Sequence, residues 1–163
     1  MATVRPVVGK RGGNLCGVRY QVNHAWRAEF VVHGAMQQIV HNPVDGIYAA
    51  TPDYVHALEV RQPERFLYIA GTMGLRPDGS APKTRDEQLE LIWNNIRTIL
   101  AEASMTTDNI VRLTSYFSDC SYAAANGAAR ERALGSRRIP TTAIVVQTLD
   151  PAWLVEIEAI AVA

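Results

Sequence analysis

Two acidic residues stand in the strand-like end of the chain, LVEIEAIAVA, among branched apolar neighbours. Such runs form β-strands, and a carboxylate within one is either solvated on an open face or costly to bury. Glu156 and Glu158 are therefore candidates for chemistry, or simply solvated strand acids. They share one strand face, so periodicity alone does not choose between them.

The elements that must hold this strand follow from the hydrophobic pattern. Alternation and short apolar runs predict strands over residues 54–60, 65–71, 109–117, 141–147 and 153–162. The first two are joined by RQPE, whose Pro63 and charges suit a hairpin turn. A capping box at Thr84 predicts a helix over residues 85–103, and a second helix ends at Gly135. The predicted order is ββαβαββ.

This order predicts an α+β fold with a mixed sheet and both helices on one face, because each helix must bury its apolar stripe. The other sheet face is then uncovered. Side chains such as Tyr54, Tyr68 and Ile144 on an uncovered face favour oligomerisation, and clefts between subunits are natural ligand sites.

Composition narrows the function classes. The 163 residues suit one domain, and a formal net charge of zero gives no general attraction to nucleic acid or to a membrane. Cys16 and Cys120 form neither a disulfide framework nor a zinc motif, which favours a reducing, cytoplasmic setting without a metal. No stretch approaches a membrane span, and the N-terminus lacks the apolar core of a signal peptide.

Residues 1–38 form a predicted basic extension ahead of a domain over residues 39–163. The extension has five basic residues and one acidic residue, a net charge of +4, which leaves −4 for the remainder. It either binds a polyanion or, more simply, packs on the acidic body. Its segment VRYQVNHAWRAEFVVHG, residues 18–34, is compatible with an added hairpin.

Several motifs together resemble the YjgF/Rid family, named for reactive intermediate deaminase. They are AGTMGL, the stretch EQLELIWNNIRTILAEASMTTDNIVRLTSYFSD, YAAAN and above all VEIEAIAV, within about residues 44–163. The resemblance implies a chorismate-mutase-like subunit in a homotrimer, with the sheets forming a central barrel and sites in the interfaces. It implies no cofactor. Known members hydrolyse imine tautomers of 2-aminoacrylate and related enamines to 2-oxo acids and ammonia.

The resemblance also assigns site residues. Glu156 falls where the family places the carboxylate that positions the attacking water, and Glu158 then has a structural or exposed role. Tyr54 matches the family's site tyrosine, although an interface aromatic is equally compatible with its position. Four further positions, with backbone groups expected to face the ligand, are Gly71, Thr72, Ala143 and Ile144. Asn126 matches a site-lining asparagine, or is only a local cap.

One departure from the family pattern concerns substrate binding. Deaminase members carry an arginine that grips the substrate carboxylate, and IPTTAIVV places Thr142 at that position. Arg137 or Arg138 could reach in from the preceding loop instead, or both are surface residues. Ala70 replaces a small hydroxyl residue, and His56 stands where many members have Gln. His56 is a structural residue or, because of its pKa range, a candidate base.

Three functions remain open from the sequence. The favoured one is a Rid-like hydrolase, a deaminase acting on a small imine or enamine with altered substrate preference. The alternative is a non-catalytic trimer that binds a small metabolite. Ribonuclease activity has less support, because the body lacks a basic, aromatic-rich groove.

Overall fold

The computed structural model describes residues 34–163. The predicted basic extension lies almost wholly outside the described residues, and the predicted hairpin over residues 18–34 does so as well. The domain boundary at residue 38 therefore stays a prediction.

The described part of the chain contains six strands and two α-helices. The strands are β1 (Gln37–His41), β2 (Ala57–Arg61), β3 (Phe66–Met73), β4 (Ile110–Phe117), β5 (Thr141–Val145) and β6 (Val155–Val162), and the helices are α1 (Arg85–Glu102) and α2 (Ala123–Leu134). Both predicted helices and five of these strands match the pattern-based assignments. Strand β1 was missed, and it spans the predicted boundary between the extension and the domain.

The main sheet has the strand order β3-β6-β4-β5, in which β6 runs antiparallel to both neighbours and β4 runs parallel to β5. Strands β1 and β2 form a separate antiparallel pair. The predicted hairpin between β2 and β3 is therefore wrong. Gln62 has φ 53, and the N–H groups of Glu64 and Arg65 both donate to the carbonyl of Ala163, which turns the chain onto the end of β6 instead.

The two faces of the sheet differ, as strand alternation requires. Alternate residues of β6 are buried and join one core with apolar residues of both helices; the β6 members are Val155, Ile157, Ala159 and Ala161, and the helical members are Leu89, Ile92, Trp93, Ile96, Leu100, Ala129 and Leu134. The intervening residues Glu156, Glu158 and Ile160 are half-buried on the other side, here called the open face. The mixed sheet with two helices is thus confirmed.

Hydrogen bonds from helix α1 hold the start of β6 in place and so determine where Glu156 lies along the sheet. Thr84 caps the helix by accepting a hydrogen bond from the N–H of Glu87, as the sequence predicted. The buried Gln88 donates to the carbonyls of Pro82 and Ala152 and accepts from the N–H of Leu154 at 2.9 Å. A side chain such as this, with every polar atom bonded, locks its partners in place.

Within residues 34–163, neither helix combines the length and the apolar character that crossing a bilayer requires.

Candidate functional site

The carboxylate of Glu156 lies over the backbone of Gly71. A Cβ atom built on Gly71 would lie 1.6 Å from Oε1 of Glu156, so only glycine leaves room for the carboxylate there. The approach occurs at a β-bulge, where β3 has one residue more than β6 between Ile69 and Thr72. Among the described residues, no group donates a hydrogen bond to Glu156. Its oxygens are therefore available to water or to a ligand.

The β3 edge of the sheet, beside Gly71, borders a cavity that Glu156 itself does not line. This cavity of about 510 Å³ runs along the edge and is lined by Gly71, Thr72 and Met73, together with residues of the following loop and of α1. The hydroxyl of Thr72 donates to the carbonyl of Ala70 at 3.0 Å. The side chain of Asn95 donates to the carbonyls of Met73 and Leu75, which fixes the end of β3 against α1.

Glu158 lies in a different cavity of the open face. Its register partner on β4 is Thr114, and both line a cavity of about 340 Å³ with Tyr68, Arg112 and Ile160 among the other lining residues. Glu156 does not line this cavity, so the two glutamates have different surroundings although they share a face.

Tyr116 lies close to both glutamates. It stands opposite Glu156 on the neighbouring strand. Burial raises the pKa of Tyr116, and the negative charges of Glu158 and Glu156 raise it further. Its hydroxyl therefore stays protonated and can act as a hydrogen-bond donor. The sequence analysis did not select Tyr116, although its alternation with Arg112 and Thr114 placed it on this face.

Three other candidate residues, Thr142, Ala143 and Ile144, lie on the edge strand β5. Ile144 stands opposite Tyr116 and is half exposed, and the neighbouring Ala143 is exposed as well. The hydroxyl of Thr142 accepts a hydrogen bond from Nη2 of Arg112 at 2.9 Å. Arg112 was not selected from the sequence either. It could have been found in the sequence as a basic residue that alternates with Thr114 and Tyr116 along β4 and therefore shares their face.

Tyr54 lies in the loop before β2, and this loop is fastened beside β5. Asp53 forms an ion pair of 2.5 Å with Arg130, whose other nitrogen donates to Thr141 at 3.3 Å. The hydrogen bond from Thr51, followed by Arg130, lowers the pKa of Asp53 against the opposing effect of burial. Burial raises the pKa of Tyr54. The hydroxyl of Tyr54 is thus neutral.

His56 packs in the same loop cluster. Its ring stands edge-on to the ring of Tyr54, with centroids 5.6 Å apart, and edge-on to that of Tyr48 at 5.1 Å. Its ring Nε2 lies 2.8 Å from the carbonyl oxygen of Tyr48, and the backbone N–H of His56 donates to Oδ1 of Asn42. These contacts favour the structural interpretation of His56.

Arg137 and Arg138 point to backbone carbonyls. Arg137 donates to the carbonyls of Thr107 and Ile110 at 2.9 Å each, and burial lowers its pKa. Arg138 donates to the carbonyls of Pro52, Gly135 and Arg137. Both guanidinium groups are thus engaged in holding loops, whereas Arg112 is the guanidinium that contacts Thr142.

Asn126 lies beneath the sheet, on the helix side. It is 3% exposed and donates to the hydroxyl of Ser115 at 3.3 Å, while its Oδ1 has no partner among the described residues. Ser115 stands opposite Ile157, a core residue, so the sheet separates Asn126 from Glu156.

The open-face candidates therefore form two half-sites. Gly71 lies on the edge strand β3 and Glu156 on its neighbour β6, whereas Thr142 and Ile144 lie on the opposite edge strand β5, beside the loop of Tyr54. Glu156 is two inter-strand spacings, roughly 10 Å, from Ile144, and Tyr116 of β4 stands between them. Tyr116 therefore separates the two half-sites within one chain.

Known proteins resemble this chain in both sequence and fold. A family model described as endoribonuclease L-PSP matches residues 46–163. The chain belongs to this family. The YjgF/Rid membership predicted from VEIEAIAV and the other motifs is thereby confirmed.

Solved structures of Rid proteins share the fold. A Rid family protein from Yersinia pestis, YyfB, whose function is described as unknown, superposes with a TM-score of 0.67 at 28% identity, covering 77% of this chain and 98% of that one. RidA from an Antarctic Psychrobacter superposes with a TM-score of 0.58 at 25% identity, covering 71% and 92% of the two chains.

Curated relatives match over shorter stretches. A RutC family protein of Aquifex aeolicus is 37% identical over 67 residues, which is 40% of this chain and 51% of the relative. The RutC family protein YjgH of Escherichia coli is 34% identical over 53 residues, 32% of this chain and 40% of the relative. The chain thus matches about half the length of these relatives or less.

Proposed function

We propose that this Rid family protein hydrolyses a small imine or enamine, with Glu156 as the base that activates water. The observation that supports the proposal is the position of the Glu156 carboxylate, held over Gly71 at the edge of the sheet and bonded to no described group. Only glycine at position 71 leaves room for the carboxylate in this position.

The chemistry needs few groups. Glu156 orients water and takes its proton as the water oxygen forms a bond to the imine carbon, and the π electrons of the C=N bond pass to nitrogen. Return of that proton to the nitrogen gives a carbinolamine. Glu156 then transfers the remaining hydroxyl proton to the amine nitrogen, so that the C–N bond breaks, ammonia leaves and the O–H electrons form the carbonyl of a 2-oxo compound. An imine carbon is already electrophilic, so one positioned carboxylate is a sufficient general base. The proposal therefore includes no metal and no organic cofactor.

The complete site would lie between subunits of a homotrimer. Because Tyr116 on β4 separates the two half-sites within one chain, we propose that the β3 edge of one subunit meets the β5 edge of the next. Exposed apolar side chains on the open face support this assembly: Tyr68 is 73% exposed and stacks on Phe66, and Ile144 is 45% exposed. Tyr54 of the adjoining subunit would then approach Glu156 with its neutral hydroxyl.

A second candidate function is a trimer that binds a small metabolite without turning it over. Thr142, in place of the arginine expected from the resemblance, favours this alternative. Ribonuclease activity, which the family description names, gains no support from the charge of the chain: residues 39–163 carry a net charge of −4, and Glu156 and Glu158 both face the site side of the sheet. A cytoplasmic location remains part of the proposal.

The test is ammonia release from imines generated in the assay by an amino-acid oxidase. Wild type should exceed the spontaneous rate, whereas Glu156→Ala should not. Equal rates for wild type and buffer across imines of different side chains, with retained metabolite binding, would favour the binding trimer. Cleavage of a single-stranded RNA by wild type, lost in Glu156→Ala, would favour the ribonuclease.

A further inference from the structure

Arg112 brings a guanidinium to the position where the family arginine is missing. The arginine comes from β4, and its Nη2 donates to the hydroxyl of Thr142 on β5 at 2.9 Å. We propose that Arg112 is the anion-binding residue of this site, and that it selects a substrate whose carboxylate lies several bonds away from the reacting carbon. The anion-binding part stands on the geometry of Arg112; the reacting carbon rests on the proposed function.

The backbone explains how the side chain reaches this position. Thr114 is the register partner of both Thr142 and Glu158, so it stands between β5 and β6 in the same row. Arg112 lies one open-face position earlier on β4. Its side chain crosses toward β5, as the hydrogen bond to Thr142 shows, and so leans away from Glu158 on β6.

The guanidinium retains capacity for a ligand. Arginine carries several N–H donors in a planar fork, and the contact with Thr142 uses one of them. Among residues 34–163, no carboxylate lies within ion-pairing distance of Arg112, and the residue is exposed. Arg137 and Arg138 lack this freedom, because they are bound to backbone carbonyls. Arg112 can thus form a bidentate contact with a carboxylate.

The surrounding cavity suits a small metabolite. Arg112 and Thr114 line a space of about 340 Å³ together with the ring of Tyr68, which is within the ordinary range for small-molecule sites. Glu158 lines the same space and disfavours a second negative charge beside it. The cavity therefore accepts one carboxylate at Arg112, and a second carboxylate of the ligand must lie outside it, away from Glu158.

The position of the guanidinium also determines which anion fits. An arginine at position 142 would extend its guanidinium several bonds beyond its own Cβ. Arg112 instead holds its guanidinium beside Oγ1 of Thr142, close to the sheet. A carboxylate bound there is recessed, so it must be joined to the imine carbon by a longer chain. An imino acid with a carboxylate in its side chain meets this requirement, whereas 2-aminoacrylate does not.

The test measures binding of two product-like probes to the full-length protein by calorimetry. 2-Oxoglutarate, which has a side-chain carboxylate, should bind more tightly than pyruvate, which has none. Arg112→Gln should weaken 2-oxoglutarate binding by about ten-fold or more, because a charge-assisted bidentate contact is lost. Arg112→Lys should restore part of the affinity. The control Arg97→Gln, on the exposed side of α1, should bind as wild type does.

A swap variant tests the selectivity. Arg112→Thr combined with Thr142→Arg should reverse the preference toward pyruvate, provided that light scattering and thermal unfolding match wild type. An unchanged dissociation constant in Arg112→Gln, or equal binding of both probes by wild type, would overturn the proposal. If binding depends on Arg112 but no imine is hydrolysed, the anion site stands and the hydrolase proposal fails.

Discussion

Gly71→Ala should displace the Glu156 carboxylate while leaving the fold intact. The new Cβ would lie 1.6 Å from Oε1, and ordinary contact begins at 3.4 Å, so the oxygen must move by about 1.8 Å. The obstructing atom is the far end of a flexible side chain, so the displacement costs little stability. Gly71 is absent from the glycines with positive φ, so alanine fits its backbone.

The expected effects on stability and rate therefore diverge. Gly→Ala at a compatible position stabilises a protein by about 0.4–1 kcal/mol through the unfolded state, so thermal unfolding should shift little. A displacement of about 1 Å at a reacting group can lower a rate by about 10²-fold. The rate of ammonia release in Gly71→Ala should fall by about that factor.

Gly127→Ala is the matched control, because a Cβ on Gly127 in α2 meets nothing within 4 Å. It should stabilise the helix by roughly 0.5–1 kcal/mol and leave the rate unchanged. The double variant Gly71→Ala with Glu156→Gln should be no slower than Glu156→Gln alone, because both changes remove the same function. A wild-type rate in Gly71→Ala, with the oligomeric state and the melting temperature unchanged, would refute the role given to Glu156.

Four further outcomes are expected. Light scattering at micromolar concentration should return a trimer, and a stable monomer would remove the interfacial site. Hydrolysis of 2-aminoacrylate-derived imines should be weak in wild type, and robust turnover would contradict the loss of the carboxylate contact at Thr142. Glu156→Gln should keep the fold and lower the rate by about 10²-fold or more, because an amide holds water but takes no proton, whereas Glu158→Gln should cost less than about ten-fold. Because folding lowers the pKa of Asp53 from 3.8, this group stabilises the fold above that pH and less as the pH falls, so acid unfolding of Asp53→Asn should depend less steeply on pH.

Local sequence patterns predicted both helices and five of the six described strands, but they predicted the wrong pairing partner for β2. The capping box at Thr84 and the alternation in β4 and β6 are local signals, and the structure reproduces both. The pairing of β2 was not local. Pro63 and its charged neighbours resemble a hairpin turn, but the carbonyl of Ala163, a hundred residues later in the chain, accepts from Glu64 and Arg65 and directs β3 to β6. Tertiary contacts of this kind leave no trace in a window of a few residues.

The choice between the two glutamates shows where sequence periodicity stops. Glu156 and Glu158 both stand between apolar residues and share one face of the strand, and only the family motif distinguished them in the sequence. The structure distinguishes them by a missing side chain on another strand: the β-bulge brings Gly71 under Glu156, whereas Glu158 stands opposite Thr114. The bulge depends on the register of β3 against β6, which no feature of β6 encodes. Gly71 of AGTMGL and Glu156 of VEIEAIAV are thus packed directly against each other, and a variant that changes either one tests both.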